Sequence, residues 1–219
     1  MGDKRSAPAN RGHWIPRGCA ALIHPTQLKK SNQNYALTTK VTNKSIKMGK
    51  RKEVLSKVAI NDRIHELGKQ ITTDYSGKKV VLLGVLNGAF IFLADLCRAI
   101  DLDLEIDFIR VASYGDATHS SGTIRLSKPS EIDLTGKDVI LVEDIVDTGH
   151  TMAWLINHFA EIGANSVKVC TLIDKTERRS VDVSIDYPGF SLNKGFLIGY
   201  GLDHAEIYRN LPEIFSLDG

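Results

Sequence analysis

This 219-residue sequence lacks long apolar runs, and that absence removes whole classes of protein. The longest apolar run near the N-terminus is CAALI, residues 19–23, far short of the roughly 20 residues that a membrane helix needs. It is also too short for the apolar core of a secretory signal. The sequence therefore predicts neither a membrane span nor a secretory leader.

Cysteine is scarce as well, with only Cys19, Cys97 and Cys170. An odd number at wide spacing forms neither a disulfide framework nor a CxxC metal pattern. Cys97 falls in an apolar helical pattern and Cys170 in VKVCTLI, so we expect both to be buried thiols. Free thiols indicate a reducing compartment, and we expect a cytoplasmic protein.

The net charge is only +2, but the two parts of the chain have opposite charge. Residues 1–47 hold nine Lys or Arg and a single acid, which gives +8. Residues 48–219 hold the remaining 19 basic and 25 acidic side chains, which gives −6. This asymmetry predicts a basic N-terminal extension, 1–47, and a folded domain, 48–219.

The N-terminal extension has no helical or strand periodicity and carries Pro8, Pro16 and Pro25. Such a segment buries too little apolar surface to offset its ordering entropy, so we expect it to be mostly disordered. The first interpretation is a plain tail, or a true start at Met48. An organelle transit peptide ranks second and a nucleic-acid-binding arm last.

From about residue 53, helical patterns alternate with strands that are apolar on both faces. The strands KKVVLLGVL, KDVILVED and SVKVCTLID are separated by helical patterns. This alternation predicts an α/β fold with a parallel sheet core, flanking helices and a smaller C-terminal piece. The first helix shows apolar residues near helical spacing, with Ser56 as its cap. Those residues are Val58, Ile60, Ile64, Leu67 and Ile71.

Ligands of such sheets bind beyond the carboxyl ends of the strands, and one strand end is rich in acids. VILVEDIVDTGHTM, residues 139–152, places Glu143, Asp144 and Asp147 between a strand and a helix. The residues from Thr148 to Thr151 offer hydroxyls and helix N-terminal amides, which suit a phosphate. Glu143 and Asp144 suit ribose hydroxyls or a divalent metal. Together they indicate a sugar phosphate.

Two simpler interpretations of this stretch compete. Asp147 could only cap the helix while Glu143 and Asp144 face solvent, although three acids at an apolar strand end make that weak. The DTG triplet also occurs in aspartic proteases. Those need an all-β setting and two such acids, whereas this triplet occurs once and opens a helix.

VILVEDIVDTGHTM resembles the signature of type I phosphoribosyltransferases, and within that family the 6-oxopurine, hypoxanthine-guanine branch. Four more segments, in family order across 53–215, resemble other parts of this branch. LNGAFIF resembles its pyrophosphate loop, and SYG resembles the start of its mobile loop. DKTERRS resembles its purine-recognition lysine segment, and FLIGYGLDHAEIYRNLPEI resembles its hood. The resemblance implies the type I phosphoribosyltransferase fold, a parallel sheet core with flanking helices and a small C-terminal hood.

The resemblance also implies roles for residues that bind phosphoribosyl pyrophosphate (PRPP). Asp147 is implied as the catalytic acid/base facing the purine N7. Glu143 and Asp144 are implied to hold the ribose hydroxyls and Mg2+. The peptide bond before Asn87 can be cis in the family. The 5-phosphate would lie on Asp147, Thr148, Gly149, His150 and Thr151, and pyrophosphate on Leu86, Asn87, Gly88 and Arg209.

The purine would be bound by residues that, taken singly, have plainer explanations. Lys175 is implied to donate to the 6-oxo group, and Phe196 to stack on the base. A lone lysine at a strand end could be a solvated charge, and a lone phenylalanine in a strand is usually core. The other implied residues are Leu197 at the base, Asp203 on a second Mg2+, and Ser113 and Tyr114 in the mobile loop.

The implied reaction is transfer of the 5-phosphoribosyl group from PRPP to N9 of hypoxanthine or guanine, with Mg2+, giving IMP or GMP and pyrophosphate. The family also implies a homodimer or homotetramer. Two rivals remain: a PRPP-sensing, nucleic-acid-binding regulator of the same fold, and a transferase that prefers xanthine. The sequence departs from the branch at three positions. Asn87 stands where lysine is usual, His150 where lysine or leucine is usual, and His204 where tyrosine is usual.

Overall fold

The computed structural model describes residues 51–114 and 123–217. The predicted N-terminal extension, 1–47, and residues 115–122 of the predicted mobile loop lie outside this range, as do the side chains of Ser113 and Tyr114. No helix in the described range is both long and apolar enough to cross a membrane. Because the described residues begin at 51, the domain boundary near Met48 stays a prediction.

Within the described residues, the chain forms three helices and nine strands. The helices are α1 (Lys57–Asp74), α2 (Phe90–Ala99) and α3 (His150–Glu161). The strands are β1 (Lys52–Leu55), β2 (Val80–Leu86), β3 (Leu104–Tyr114), β4 (Thr123–Lys128), β5 (Asp138–Val146), β6 (Ser166–Asp174), β7 (Tyr187–Ser191), β8 (Leu197–Ile198) and β9 (Ile214–Ser216).

Six strands form the main sheet, in the order β4-β3-β2-β5-β6-β7. Every neighbouring pair is parallel except β3 and β4. The predicted α/β fold with a parallel sheet core is confirmed. Parallel strands joined by crossover helices are covered on both faces, which explains why the predicted strands are continuously apolar.

Strand β5 shows how one apolar run serves two cores. Ile140 and Val142 pack in the core that α1 and α2 cover. Val139 and Leu141 point to the opposite face and pack in the core that α3 covers. Successive strand residues alternate between faces, so the strand is held between two cores up to the acids at its end.

Helix α1 follows its predicted pattern with one exception. The Ser56 hydroxyl accepts a hydrogen bond from the Ala59 amide at 3.2 Å, which confirms the predicted cap. The four later residues of the predicted stripe are buried, but Val58 is 70% exposed. Val58 precedes Ile60 by two positions, and residues two apart on a helix face different directions. The inclusion of Val58 was wrong.

The hood is a separate three-stranded antiparallel sheet, in the order β1-β9-β8. The sequence predicts a C-terminal hood, but β1 comes from the beginning of the domain and pairs with β9. Strand β1 is short and largely exposed, so it lacks the alternation that predicts a strand. Its conformation depends on a partner about 160 residues later in the chain.

The two described cysteines differ in burial. Cys170 lies in β6 and is fully buried, and this burial raises the pKa of its thiol. Cys97 is only half-buried on α2. The prediction of a buried thiol is therefore confirmed for Cys170 and wrong for Cys97, because the latter lies at the edge of the helix's apolar stripe.

Candidate active site

The candidate site lies beyond the carboxyl ends of β2, β5 and β6. Strand β2 has β3 on one side and β5 on the other, so the sheet order reverses there. The loops after β2 and β5 therefore diverge and leave a crevice, the place where open α/β sheets bind ligands. The predicted acids and the predicted pyrophosphate loop both lie at this crevice.

Glu143 and Asp144 lie near the end of β5, where Asp144 is buried and Glu143 is half-buried. Asp144 is only 8% exposed, and its Oδ1 accepts a hydrogen bond from the Ile145 amide at 2.9 Å. Burial, followed by the charge of Asp144, raises the pKa of Glu143 well above its usual range. The alternative that both acids face solvent is therefore wrong. Adjacent carboxylates in such a place are stabilised by a cation or by hydroxyl donors.

Asp147 lies between the end of β5 and the beginning of α3. Its Oδ1 is buried and has no hydrogen-bond partner among the described residues. Its Oδ2 lies 3.3 Å from Nη1 of Arg178. Gly149 is the N-cap of α3 and no side chain caps the helix, so the capping alternative for Asp147 is wrong. A buried acceptor without a donor is rare and indicates a missing partner.

Gly149 brings the predicted phosphate loop close to its neighbour. Its φ is +89°, and a Cβ at this position would lie 2.5 Å from the Val181 carbonyl oxygen. The Thr148 carbonyl accepts hydrogen bonds from the amides of Ser180 (3.0 Å) and Val181 (3.1 Å). The carbonyl side of the loop is thus held by the chain after β6, while the amides of the first turn of α3 lack a side-chain cap.

The loop after β2 is packed between an acid and the hood. The peptide bond Leu86–Asn87 is cis. A Cβ on Gly88 would lie 1.8 Å from Oδ2 of Asp144, and a Cβ on Gly201 would lie 2.1 Å from the Gly88 carbonyl oxygen. Only glycine fits at either position. The predicted pyrophosphate loop therefore touches both the acid pair and the hood.

Lys175 follows β6, beside the strand that leads to Asp147. Its amide donates to the Val146 carbonyl at 3.0 Å, which places the two strand ends side by side. Its side chain is only 11% exposed, and Nζ lies 3.8 Å from Glu177. The alternative of a fully solvated charge is therefore wrong. A lysine this withdrawn from water is suited to a single polar partner.

Phe196 and Leu197 begin the return into the hood. Phe196 is 47% exposed, which rules out the alternative that it is a core residue. Its ring lies edge-on to His204, with centroids 5.2 Å apart. Leu197 is buried in β8 and pairs with Ser216. The exposed ring offers a flat apolar face of the kind that stacks on a base.

Asp203 and Arg209, predicted to contact different ligands, are paired with each other. Arg209 Nη2 lies 2.8 Å from Asp203 Oδ1, and Arg209 Nη1 donates to the Gly201 carbonyl at 2.8 Å. Asp203 Oδ2 accepts from the Glu206 amide at 2.9 Å. Both side chains are therefore engaged before any ligand arrives, which the sequence did not indicate.

The described residues contain no cluster of three or more metal-ligating side chains. Glu143 and Asp144 form one acidic pair, and Asp203 is not part of it. The residues predicted to hold metal thus offer a pair of carboxylates at one place and a single carboxylate at another. Mg2+ in phosphate-handling sites typically takes one or two carboxylates and completes its shell with phosphate and water.

Two further predicted residues lie at the edges of the site. His150 begins α3 and is exposed, and its Nε2 lies 3.0 Å from the Ser180 hydroxyl. Ser113 and Tyr114 end β3, where the backbone pairs with Ile124 and Thr123 of β4. The predicted mobile loop therefore joins two antiparallel strands.

Sequence reasoning missed Arg179, the most connected side chain of the site. Its guanidinium contacts the carbonyls of Val146 and Asp147 and the carboxylate of Asp174. The segment DKTERRS drew attention only to its lysine. The available signal was an arginine at a strand end, where carbonyls of neighbouring strands become free, but no spacing rule distinguishes it from the adjacent, exposed Arg178.

Comparison with protein families gives a match over most of the chain. A family model described as a phosphoribosyl transferase domain matches residues 50–205. The hypoxanthine-guanine phosphoribosyltransferase of Aquifex aeolicus is 44% identical over 176 residues, 80% of this chain and 99% of that protein. The enzyme of the same name from Bacillus subtilis is 42% identical, over 74% of this chain and 91% of its own length.

A longer relative is the bifunctional protein TilS/HprT of Listeria monocytogenes, 38% identical over 204 residues. This match covers 92% of the chain but only 31% of the relative, so the chain spans about a third of that protein's length. Because 92% of the chain is more than residues 48–219 contain, the alignment extends into the first 47 residues.

A solved structure gives the same result. The hypoxanthine-guanine phosphoribosyltransferase of Bacillus anthracis superposes with a TM-score of 0.71 at 44% identity. The match covers 75% of this chain and 96% of the other. At this identity and TM-score, the two chains share the fold.

Proposed function

The chain belongs to the phosphoribosyl transferase family, and we propose that it serves purine salvage as a member of the hypoxanthine-guanine branch. It transfers the 5-phosphoribosyl group of PRPP to N9 of hypoxanthine or guanine. The products are IMP or GMP and pyrophosphate. The relatives that carry this name match four fifths or three quarters of the chain at more than 40% identity.

The observation that carries the proposal is the unpartnered Oδ1 of Asp147. This oxygen lies directly before the N-terminus of α3, where a phosphate would bind, and beside the strand end that bears Lys175. A ligand that fits must place an anion at the N-terminus of α3 and present a proton donor to Oδ1 of Asp147. A purine that is being joined to a ribose 5-phosphate has both.

The proposed chemistry at this site is a substitution at C1′ of the ribose. The N9 lone pair forms a bond to C1′, the bond from C1′ to the pyrophosphate oxygen breaks, and the electron pair leaves with pyrophosphate. The N7 proton of the purine passes to Asp147. The amides and hydroxyls of Thr148 to Thr151 hold the 5-phosphate, so the sugar is fixed while its charge develops.

Glu143 and Asp144 fit Mg2+, because they are adjacent carboxylates whose repulsion and burial raise the pKa of Glu143. They would hold the ion together with the ribose hydroxyls of PRPP, and Asp203 would hold a second one. Bound Mg2+ supplies charge neutralisation for the departing pyrophosphate. Asn87 and Gly88 would contact the same pyrophosphate from the loop that lies against Asp144, and Arg209 would contact it from the hood.

Selection of a 6-oxopurine rests on Lys175 and Phe196. An ammonium can only donate, so it pairs with a 6-oxo group and opposes the N–H groups of a 6-amino purine. The exposed Phe196 ring covers the base, and the backbone of Leu197 lies next to it. A regulator that only senses PRPP has no need of this pair.

An activity assay tests the proposal. The purified chain is mixed with PRPP and Mg2+ and with hypoxanthine, guanine, xanthine, adenine or uracil in turn. We expect turnover with hypoxanthine and guanine and none with adenine or uracil. No turnover of any 6-oxopurine overturns the proposal, PRPP binding without turnover favours a regulator, and a preference for xanthine favours the other rival.

A homodimer or homotetramer and a cytoplasmic location remain predictions. Light scattering of the purified chain measures the first, and a fluorescent fusion in living cells tests the second.

A further inference from the structure

Arg179 lies in the segment between β6 and β7 and is charged yet mostly withdrawn from water. Its side chain is 17% exposed, whereas that of the adjacent Arg178 is 67% exposed. A buried guanidinium is costly unless its donors are satisfied. The bonds that satisfy it therefore indicate why the chain keeps it there.

Those bonds all go to the ends of two strands. Nε donates to the Asp147 carbonyl at 2.9 Å, and Nη2 donates to the Val146 carbonyl at 3.0 Å. Nη2 also contacts the Asp174 carboxylate at 2.6 Å and the Lys175 carbonyl at 3.4 Å. One planar group thus joins the end of β5 to the end of β6.

The clamped peptides belong to the two residues that face the purine. Asp147 is the proposed acid/base at N7, and Lys175 is the proposed donor to the 6-oxo group. Both positions directly follow the last paired residues of their strands, Val146 and Asp174. Beyond that pair, a backbone hydrogen bond from the Lys175 amide to the Val146 carbonyl joins the two strand ends, and Arg179 adds its side-chain bonds to it. A clamp at this point sets the distance between the two purine contacts.

We propose that Arg179 is a positioning residue that holds Asp147 and Lys175 in register for the purine, through their backbone and not through the substrate. This inference rests on the proposed function. It extends that function because Arg179 contacts the backbone carbonyls of Asp147 and Lys175 and not the side-chain groups that are proposed to meet the purine. The planar five-donor fork of arginine suits several acceptors at fixed angles, which the point charge of lysine does not.

The phosphate loop has anchors of its own, so the effect of Arg179 is expected to be local. The Thr148 carbonyl is held by the amides of Ser180 and Val181, at 3.0 and 3.1 Å. These backbone bonds do not need the guanidinium. Loosening Arg179 should therefore disturb the purine contacts more than the grip on PRPP.

The test is Arg179→Lys, with Arg63→Lys as the matched control. Arg63 also clamps two carbonyls, donating to Gly189 at 3.0 Å and Pro188 at 2.7 Å, but between α1 and β7, away from the crevice. Each variant is measured for thermal unfolding, for kcat and KM with hypoxanthine, and for the Kd of PRPP by calorimetry.

We expect Arg179→Lys to lower kcat/KM for hypoxanthine by about ten- to a hundredfold, because small misplacements of reacting groups have effects of that size. The Kd of PRPP should change by less than about threefold, so the loss should fall on the purine and not on PRPP. Arg63→Lys should lower the unfolding temperature and leave kcat, KM and the Kd of PRPP unchanged.

A second variant keeps the inference testable if Arg179→Lys fails to fold. Asp174→Asn keeps Arg179 but weakens its anchor, and the same pattern is expected at smaller amplitude. The inference is overturned if Arg179→Lys behaves like Arg63→Lys, or if it weakens PRPP as much as hypoxanthine. Absence of turnover by the unaltered chain would instead overturn the proposed function.

Discussion

The two sides of the crevice are held together in different ways. On the side of β5 and β6, the ligand-facing residues are fixed by bonds to the backbone, made by Arg179, Ser180 and Val181. On the hood side, the predicted ligand-binding residues Asp203 and Arg209 are paired with each other, and each also bonds to the backbone, at the Glu206 amide and the Gly201 carbonyl. The backbone of the first side is therefore held before a ligand arrives, whereas the charged pair of the second side is proposed to exchange partners when a ligand binds.

This difference matches the parts of the substrate that each side is proposed to meet. The 5-phosphate and the purine must be held at a fixed angle for the C1′ substitution, so preorganised donors lower its barrier. Pyrophosphate with its Mg2+ must enter and leave. While they are absent, the ion pair between Asp203 and Arg209 can replace the contacts that these residues are proposed to make with Mg2+ and pyrophosphate. The hood backbone is irregular in keeping with this, with positive φ at Tyr200, Ala205, Glu206 and Tyr208.

The largest expected effect breaks the preorganised side at its acid. Asp147→Asn removes the base but keeps the shape, so we expect kcat to fall by about 10²- to 10⁴-fold, as for other general bases. Steady-state kinetics with saturating PRPP and hypoxanthine measure it. Asp62→Asn, an exposed acid on α1, is the matched control and should keep full activity. An unchanged kcat in Asp147→Asn would refute the assignment.

The next effect breaks the contact between the two sides. Gly201→Ala would place a Cβ 2.1 Å from the Gly88 carbonyl oxygen, so the loop after β2 must shift. We expect this shift to weaken pyrophosphate binding roughly tenfold or more. Calorimetry with pyrophosphate and Mg2+ measures this.

Gly77→Ala is the control for backbone strain. Gly77 also has positive φ, +74°, but its Cβ would meet nothing within 4 Å. We expect a stability loss of about 1 kcal/mol and unchanged pyrophosphate affinity. Equal pyrophosphate affinities in the two variants would show that the hood and the loop are not coupled.

A smaller effect sharpens the comparison because its two parts have opposite signs. Asp203→Asn frees Arg209 from its charged partner, so pyrophosphate alone should bind a few times more tightly. The same change removes a carboxylate from the proposed Mg2+ site, so the gain in affinity on adding Mg2+ should shrink. Titration of pyrophosphate with and without Mg2+ measures both.

The control for this change is Glu206→Gln. Glu206 also lies 3.3 Å from Arg209, but it is 79% exposed, so its loss should have little effect. A uniform loss of affinity in Asp203→Asn, with and without Mg2+, would contradict the exchange of partners.

The smallest effect on activity is expected in the sheet that carries both sides. Burial alone would raise the pKa of Asp107, but hydrogen bonds from Phe108, Ser130, Glu131 and Ile132 lower it far below its ordinary value. A lowered pKa in the folded state stabilises the fold above the unfolded pKa, near 4, and this stabilisation is lost as the pH falls.

Asp107→Asn should therefore cost about 1–3 kcal/mol at pH 7, and the difference from the unaltered chain should shrink below about pH 4. Urea unfolding across this pH range measures it, and kcat should not change. A stability difference that is independent of pH would show that the charge of Asp107 does not contribute.

Much of the molecule was predictable from local patterns. Strands β2, β5 and β6 and helix α1 were predicted because their apolar periodicity is strong, as in β5 with its two cores. The residues around Asp147 could be placed at a helix N-terminus for the same reason. The small strand β1 and the exposure of Val58 were not predictable, since each depends on what the rest of the chain leaves beside it.

The sequence by itself determined the fold class and the crevice, because strand and helix periods are local properties and parallel strands end at one edge. It also placed Glu143, Asp144 and Asp147 on that edge. Only the tertiary structure decided how those groups are held. Arg179 bonds to the carbonyls of Val146 and Asp147, about 30 residues earlier in the chain. Asp203 contacts Arg209 only because the hood backbone reverses direction between them. Such contacts depend on the distance between atoms in space, which no spacing along the chain encodes.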